Sequence, residues 1–453
     1  MLKPTIFREY DIRGIADADL LDDGIELLGQ GIGTYLQRRA GRKVHVGRDT
    51  RLSSPRLSDA IIKGLLETGC EVTDLGVVPT PVLYYSAHKL GPDGAVMITG
   101  SHNPPEYNGF KVVCGAGTIH GDEIQRVLRI IQKEDFATGR GIEQRLDMAP
   151  AYVEEISSFF RFERPVRVVL DAGNGTAGPV MHQILERLGC DAVELYFEMD
   201  GNFPNHHPDP TVVKNLDDLV KAVREHKAEL GLAFDGDADR LGAVDENGNV
   251  VWGDQLMLIY AREILARKPG ATFIGEVKCS QVMYDGIRKL GGNPIMYKTG
   301  HSLIKAKMKE VGAELAGEMS GHLFFHDRYF GYDDALYAAC RLMEIIDRSG
   351  KPLSAQLEGV PKTVTTPEIR IDCPDEAKFQ VVRLVTEQFR KIREVVDVDG
   401  ARVLFPEGWG LLRASNTQPI LVMRFEATTQ KLLEEYRAEM ERALAEARKQ
   451  VGV

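Results

Sequence analysis

Apolar residues along this chain follow two rhythms, a helical spacing of three or four and unbroken runs of four or five, and their alternation outlines most of the secondary structure. Near the N-terminus Leu20, Leu21, Ile25, Leu28 and Ile32 keep the helical spacing, and Lys43-Val44-His45-Val46-Gly47 reads as a strand. Leu57, Ile61, Ile62, Leu65 and Leu66 then mark a helix that Gly69 ends, before a second strand around Val72 to Leu75. One more helix leads to Gly94-Ala95-Val96-Met97-Ile98, an apolar run with the length of a buried strand. Strands separated by helices cannot pair through hairpins, so the order predicts crossover connections and a mostly parallel sheet.

The same order returns twice. Val166 to Leu170, Met181 to Leu188, Ala192 to Leu195, Leu216 to Val223 and Leu230 to Phe234 make a second pass that ends at Asp235. Thr272 to Gly275, Val282 to Leu290, Ile295 to Tyr297, Leu303 to Met308 and Glu314 to Ala316 make a third, which ends at Gly317. Each pass delivers a polar loop after its last strand, which predicts three related α/β domains with mostly parallel mixed sheets, facing one central cleft. From about Lys362 the texture changes. Val364, Ile369 and Ile371 alternate, a helix runs through Leu384, Val385, Phe389 and Ile392, and two short strands and a loop follow. Leu432, Leu433, Tyr436, Met440, Ala443 and Leu444 hold a closing amphipathic helix. The divisions read as 1–147, 148–249 and 250–361 for the α/β domains and 362–453 for a C-terminal α+β domain, with a short linker at Gly359-Val360-Pro361.

Composition narrows the class. Hydrophobic residues at 43% and charged residues at 27% suit a globular enzyme, and no window reaches the ~18 uninterrupted apolar residues of a membrane span. The first ten residues lack the apolar centre of a signal peptide, so the cytoplasm is the expected compartment. Cys70, Cys114, Cys190, Cys279, Cys340 and Cys373 are scattered without Cys-x-x-Cys spacing, which predicts neither a disulfide framework nor a thiolate zinc site. A net charge of -11 argues against nucleic-acid binding, yet Arg and Lys converging in one cleft can still attract a small anion.

The chemistry is concentrated in the loops. Thr99-Gly100-Ser101-His102-Asn103-Pro104 follows the third strand; Gly100 widens the backbone options and Pro104-Pro105 stop the ladder, leaving the Ser101 hydroxyl at a strand's carboxyl end. Asp235-Gly236-Asp237-Ala238-Asp239-Arg240 puts carboxylates at alternate positions, where they repel one another unless a cation lies between them. Hard oxygen donors with no His or Cys nearby select magnesium or calcium. A helix-loop-helix calcium site would need Gly where Arg240 stands. Gly317-Glu318-Met319-Ser320-Gly321-His322 suits the reading of sugar hydroxyls, with Glu318 accepting from two neighbours. Arg413-Ala414-Ser415-Asn416-Thr417-Gln418-Pro419 offers phosphate a guanidinium fork, hydroxyls and backbone N–H groups. An ordinary turn is the plain alternative for each of these. Asp171 to Gly178 lacks both glycine-loop spacings that cradle phosphates and reads as a structural turn.

Taken in order, the four loops resemble the α-D-phosphohexomutase superfamily over essentially the whole chain. Met319, Phe330-Gly331-Tyr332-Asp333-Asp334 and Pro406-Glu407-Gly408-Trp409-Gly410 are similar to its bacterial phosphomannomutase/phosphoglucomutase branch; the phosphoglucosamine mutase branch typically has Gln in place of Met319. The resemblance implies a phosphoserine at Ser101, one magnesium ion held by Asp235, Asp237 and Asp239 with the serine's phosphate, and distal phosphate binding by Arg413, Ser415, Asn416 and Thr417. It also implies catalytic work by Arg13, His102, Lys111 and Arg240, and substrate contacts from Tyr10, Lys278, His301, Glu318, Ser320, His322 and Arg402. The expected reaction interconverts hexose 1-phosphate and hexose 6-phosphate, of mannose or glucose, through a hexose 1,6-bisphosphate. Arg13, Lys111 and His322 all remain candidates for the general acid or base. The expected partner is a phosphosugar, without nucleic acid or membrane, and the chain is expected to be a monomer or weak homodimer. A phosphoglucosamine mutase is the alternative enzyme, and a phosphosugar- or cation-binding protein without chemistry is the alternative of another class.

Overall fold

The computed structural model describes residues 2–115, 117–415 and 419–453. Four sheets succeed one another along the chain. In the first, Gly94–Ile98, Lys43–Arg48, Glu71–Val77 and Ile142–Arg145 lie side by side and parallel, while Tyr107–Cys114 returns antiparallel along Gly94–Ile98 and carries Ile12–Ile15 on its other edge. In the second, Leu230–Phe234, Arg167–Asp171 and Asp191–Leu195 are parallel and Leu241–Asp245 turns back. In the third, Leu315–Gly317, Thr272–Glu276 and Asn293–Tyr297 are parallel and Leu323–Phe325 turns back.

The repeat expected from spacing is thus present as topology. In each sheet the third parallel strand flanks the first on the side away from the second, enters a polar loop and reverses. Gly94–Ile98 and Leu230–Phe234 are buried at every position because helices cover both faces, which explains their unbroken apolar runs. The returning strands make each sheet mixed, parallel at its centre with an antiparallel edge, as expected. Each returning strand begins directly after a motif rich in Gly, Pro or charge, so its own apolar signal is short.

The fourth sheet is antiparallel throughout, with Ala401–Phe405, Gly408–Ala414 and Ile420–Ala427 at its centre. Asp375–Phe389 and Gln430–Val451 pack on it through Val381, Val385, Phe389, Leu433, Tyr436 and Met440. Ile392, expected in the first of these helices, lies past its end and is 66% exposed. One apolar core, containing Tyr85, Tyr152, Ile184, Tyr260 and Tyr337, runs through the first three units, and Val277, Trp409 and Leu411 join the third to the fourth. All six cysteines are unpaired. Among the described residues no helix is long and apolar enough to cross a membrane.

Candidate active site

The loops after the three third strands converge. Ser101 is buried and has a left-handed backbone, φ 49°; its Oγ donates to Asp235 Oδ2 at 2.7 Å and lies 3.2 Å from His102 Nδ1. Asp235 Oδ1 accepts from the backbone N–H groups of Asp239 and Arg240, so the acidic loop is folded around its own first carboxylate. Asp171 to Gly178 supports that loop from behind: Thr176 N donates to Gly236 O, and a side chain on Gly175 would meet the same carbonyl at 2.7 Å.

Asp235, Asp237 and Asp239 are fully buried, and one oxygen from each lies within 4.8 Å of the others. Lys111, on the returning strand Tyr107–Cys114, donates from Nζ to Asp237 Oδ2 at 2.7 Å and to Asp239 Oδ2, and Thr80 Oγ1 adds a 2.6 Å bond to Asp237 Oδ2. Burial alone would lower the Lys111 pKa; Asp237 and Asp239 outweigh it and hold the ammonium well above its ordinary value. Burial likewise pushes the Asp237 carboxyl up, but Lys111 holds it below the usual range. Asp235 goes the other way, raised well above that range by burial and by the charges of Asp239 and Asp237. The Lys111 ammonium and Arg240, whose Nε lies 3.9 Å from Asp235 Oδ2, bring two positive charges to three buried carboxylates, and Asp237 Oδ1 and Asp239 Oδ1 accept no hydrogen bond. This donor set fits a hard divalent cation.

Arg240 Nε donates to His322 Nε2 at 2.9 Å, which leaves the ring proton on Nδ1, 3.2 Å from Asp333 Oδ2 and 3.5 Å from Asp239 Oδ1. His301 stacks on His322, and burial holds its pKa and that of His102 well below the ordinary histidine value. Arg13 reaches the serine loop, donating from Nη1 to Asn103 Oδ1 at 2.9 Å while Nη2 pairs with Asp11. Tyr10 OH donates to Thr299 O at 2.8 Å, and its ring fills the space beside Gly300.

Glu318 accepts from Gly300 N at 2.9 Å and from Ser320 Oγ at 3.1 Å, so its carboxylate is oriented by two loops. Lys278 donates to Glu368 Oε1 at 2.9 Å, and its charge pulls the Glu368 carboxyl down to about 2. Arg413 pairs with Asp399, whose Oδ2 also accepts from Thr299 N, tying the fourth sheet to the third. Ser415 is buried at the end of Arg413's strand, whereas Asn416 and Thr417 lie outside the described residues. Arg402 departs from the implied substrate contact. It is fully buried, donates from Nη1 to Val277 O and Cys279 O at 2.5 and 2.8 Å, and lies 3.8 Å over the Trp409 ring. A guanidinium engaged in this way braces the third sheet against the fourth.

Four family models match the chain in the order of its sheets: phosphoglucomutase/phosphomannomutase alpha/beta/alpha domain I over residues 4–138, domain II over 150–248, domain III over 252–364 and the C-terminal domain over 368–443. The chain belongs to the phosphoglucomutase/phosphomannomutase family. A phosphomannomutase/phosphoglucomutase of Pseudomonas aeruginosa is 46% identical over 434 residues, covering 96% of this chain and 94% of its own length. A phosphoglucomutase of Neisseria gonorrhoeae is 45% identical over 434 residues, covering 95% and 94%. The crystal structure of a phosphoglucomutase/phosphomannomutase family protein from Burkholderia thailandensis matches with a TM-score of 0.92 at 44% identity, covering 99% of this chain and 98% of its own.

In this phosphohexomutase fold, residues outside the four loops also meet the site. Thr80 opens a helix and reaches Asp237; Asp333 is fully buried between His322 and Lys305, whose Nζ is 3.1 Å away; and Glu276 receives Lys278 N and Thr299 Oγ1 beneath the sugar-type loop. Asp333 stood inside a motif quoted only for its wording, whereas Thr80 and Lys305 carry no local signal at all.

Proposed function

We propose that the protein interconverts hexose 1-phosphate and hexose 6-phosphate, of mannose or glucose, by lending a phosphoryl group from Ser101 and taking one back. The observation that carries this reading is the contact of Ser101 Oγ with the buried triple-carboxylate loop. A serine that only capped a turn would have no need of three fully buried carboxylates beside it. Asp235, Asp237 and Asp239 would hold a magnesium ion, and such an ion supplies charge neutralisation to a phosphate borne by Ser101.

The residues of the chain do the remaining work. In the first half-reaction the phosphorus–oxygen bond at Ser101 breaks as a bond to the free hydroxyl of the hexose monophosphate forms, giving a hexose 1,6-bisphosphate. The hydroxyl proton leaves to a base, and Ser101 Oγ takes up a proton and returns to the hydroxyl form that donates to Asp235. The bisphosphate then presents its other phosphate to Ser101, and the reverse transfer completes the isomerisation. Lys111, Arg13 and Arg240 bring positive charge to the transferring group, whose catalysis depends on positioning and charge stabilisation. Glu318 and Ser320 would read sugar hydroxyls, while Arg413, Ser415, Asn416 and Thr417 hold the phosphate that is not reacting. Because either phosphate must be accepted at the distal end, that loop recognises phosphate and not one particular carbon.

The reading is tested by side-by-side turnover of mannose 1-phosphate, glucose 1-phosphate and glucosamine 1-phosphate. Mannose or glucose substrates should exceed glucosamine by at least about tenfold in kcat/KM, a difference worth ~1.4 kcal/mol. Turnover of glucosamine phosphate at an equal or greater rate would overturn the substrate assignment, and no turnover of any of the three would overturn the enzyme reading itself.

A further inference from the structure

We propose that Arg51 is the positioning residue for Ser101: it grips the backbone of the serine loop and holds the hydroxyl in line for transfer. The inference rests on the reading of Ser101 as phosphoryl carrier. Arg51 is 1% exposed and spends its guanidinium on the loop backbone and Asp49, so it acts through the loop. Its Nη1 donates to Pro104 O at 2.6 Å and Tyr107 O at 2.9 Å, its Nη2 to Ser101 O at 2.8 Å and Asn103 O at 2.5 Å, and its Nε faces Asp49 Oδ2 at 3.3 Å. All four terminal N–H bonds of the fork are thus committed to carbonyls of one short loop, and Nε makes the ion pair with Asp49.

Three further observations show a unit built around this grip. Asp49 Oδ2 accepts from Gly100 N at 3.0 Å and Asp49 Oδ1 from Arg51 N at 3.0 Å, so the counter-charge is fastened to the same loop. A side chain on Gly100 would overlap the guanidinium, which gives that glycine a steric purpose. His207 Nε2 meets the His102 carbonyl from the second unit, and the Phe203 ring centroid lies 5.6 Å from the guanidinium. The backbone of Ser101, meanwhile, has φ 49°, a conformation that non-glycine residues keep only where their surroundings over-determine it. Capture of the Ser101 and Asn103 carbonyls by Arg51, with Gly100 N held by Asp49 just before them, supplies that constraint. Lysine cannot replace the fork, because its ammonium has three donors on one atom and no plane.

The test is Arg51→Lys, measured for kcat, KM and the rate at which a hexose 1,6-bisphosphate phosphorylates Ser101, followed by intact mass. Displacing a reacting atom by about an ångström costs ~100-fold, so kcat and the phosphorylation rate should both fall about 100-fold while KM for hexose 1-phosphate stays within about threefold. A loss of kcat smaller than about tenfold, or a loss matched by an equal rise in KM, overturns the proposal. If Arg51→Lys does not accumulate as folded protein, Asp49→Asn, which keeps the shape and removes the counter-charge, is judged by the same split. Ser101→Ala, run in parallel, separates the two layers: an active Ser101→Ala removes the carrier itself, whereas an inactive Ser101→Ala beside a fully active Arg51→Lys overturns the role of Arg51 alone.

Discussion

Ser101 Oγ donates a 2.7 Å hydrogen bond to Asp235 Oδ2, joining two loops 134 residues apart in the chain. Gly236 permits the approach, since a Cβ there would lie 2.7 Å from the Ser101 carbonyl oxygen. Gly236→Ala is therefore expected to wedge the loops apart and lower kcat by ~10- to 100-fold, with little change in KM. Steady-state kinetics checks the split, and an unchanged kcat would mean that the loop-to-loop distance does not matter.

Removal of divalent metal tests the acidic cluster. Chelation should abolish turnover and magnesium should restore it, and Asp237→Asn should require more magnesium for half-maximal rate because one hard oxygen donor has lost its charge. Full activity in chelator would contradict a metal role for Asp235, Asp237 and Asp239.

Lys111 stabilises the cluster by occupying two of its carboxylates. Lys111→Met leaves buried charges without their partner and should cost about 3–5 kcal/mol in the absence of metal. Magnesium binds only the folded arrangement, so it should recover more stability in this variant than in the parent. Denaturant melts with and without magnesium measure both quantities.

Away from the site, His45 offers a pH test of the first sheet. Burial lowers its pKa from 6.5 to about 4, and its Nδ1 lies 2.9 Å from Ser86 Oγ. The folded state holds the ring neutral, so its contribution is complete above the unfolded value and is lost as pH falls from 6.5 towards about 4. Between roughly pH 7 and pH 5 the parent should lose up to about 2 kcal/mol from this group, and His45→Gln should lack that part of the slope. Urea midpoints at the two pH values provide the comparison.

Much of this was legible in the amino-acid order because the site sits where buried strands end. The runs 94–98 and 230–234 announce themselves by unbroken apolar character, and the loops after them carry Ser101 and Asp235 to Asp239. The returning strands were harder to see: 323–325 has only three residues, and 107–114 opens with Tyr-Asn-Gly, which reads as a turn. Arg51 lies in Asp49-Thr50-Arg51-Leu52, which has the texture of a solvated loop; only the arrival of Tyr107 and the serine loop buries it. Arg402 entered the expected contacts through the resemblance alone, and in the fold the Trp409 ring and two carbonyls of the third unit take up its guanidinium.

The most direct measurement is the intact mass of the protein before and after incubation with a hexose 1,6-bisphosphate. One added phosphate per chain is expected, mapped to the peptide containing Ser101, removed by excess hexose monophosphate, and absent from an inactive Ser101→Ala variant. Phosphate on a different residue, or mutase activity in Ser101→Ala, would contradict a carrier role for this serine.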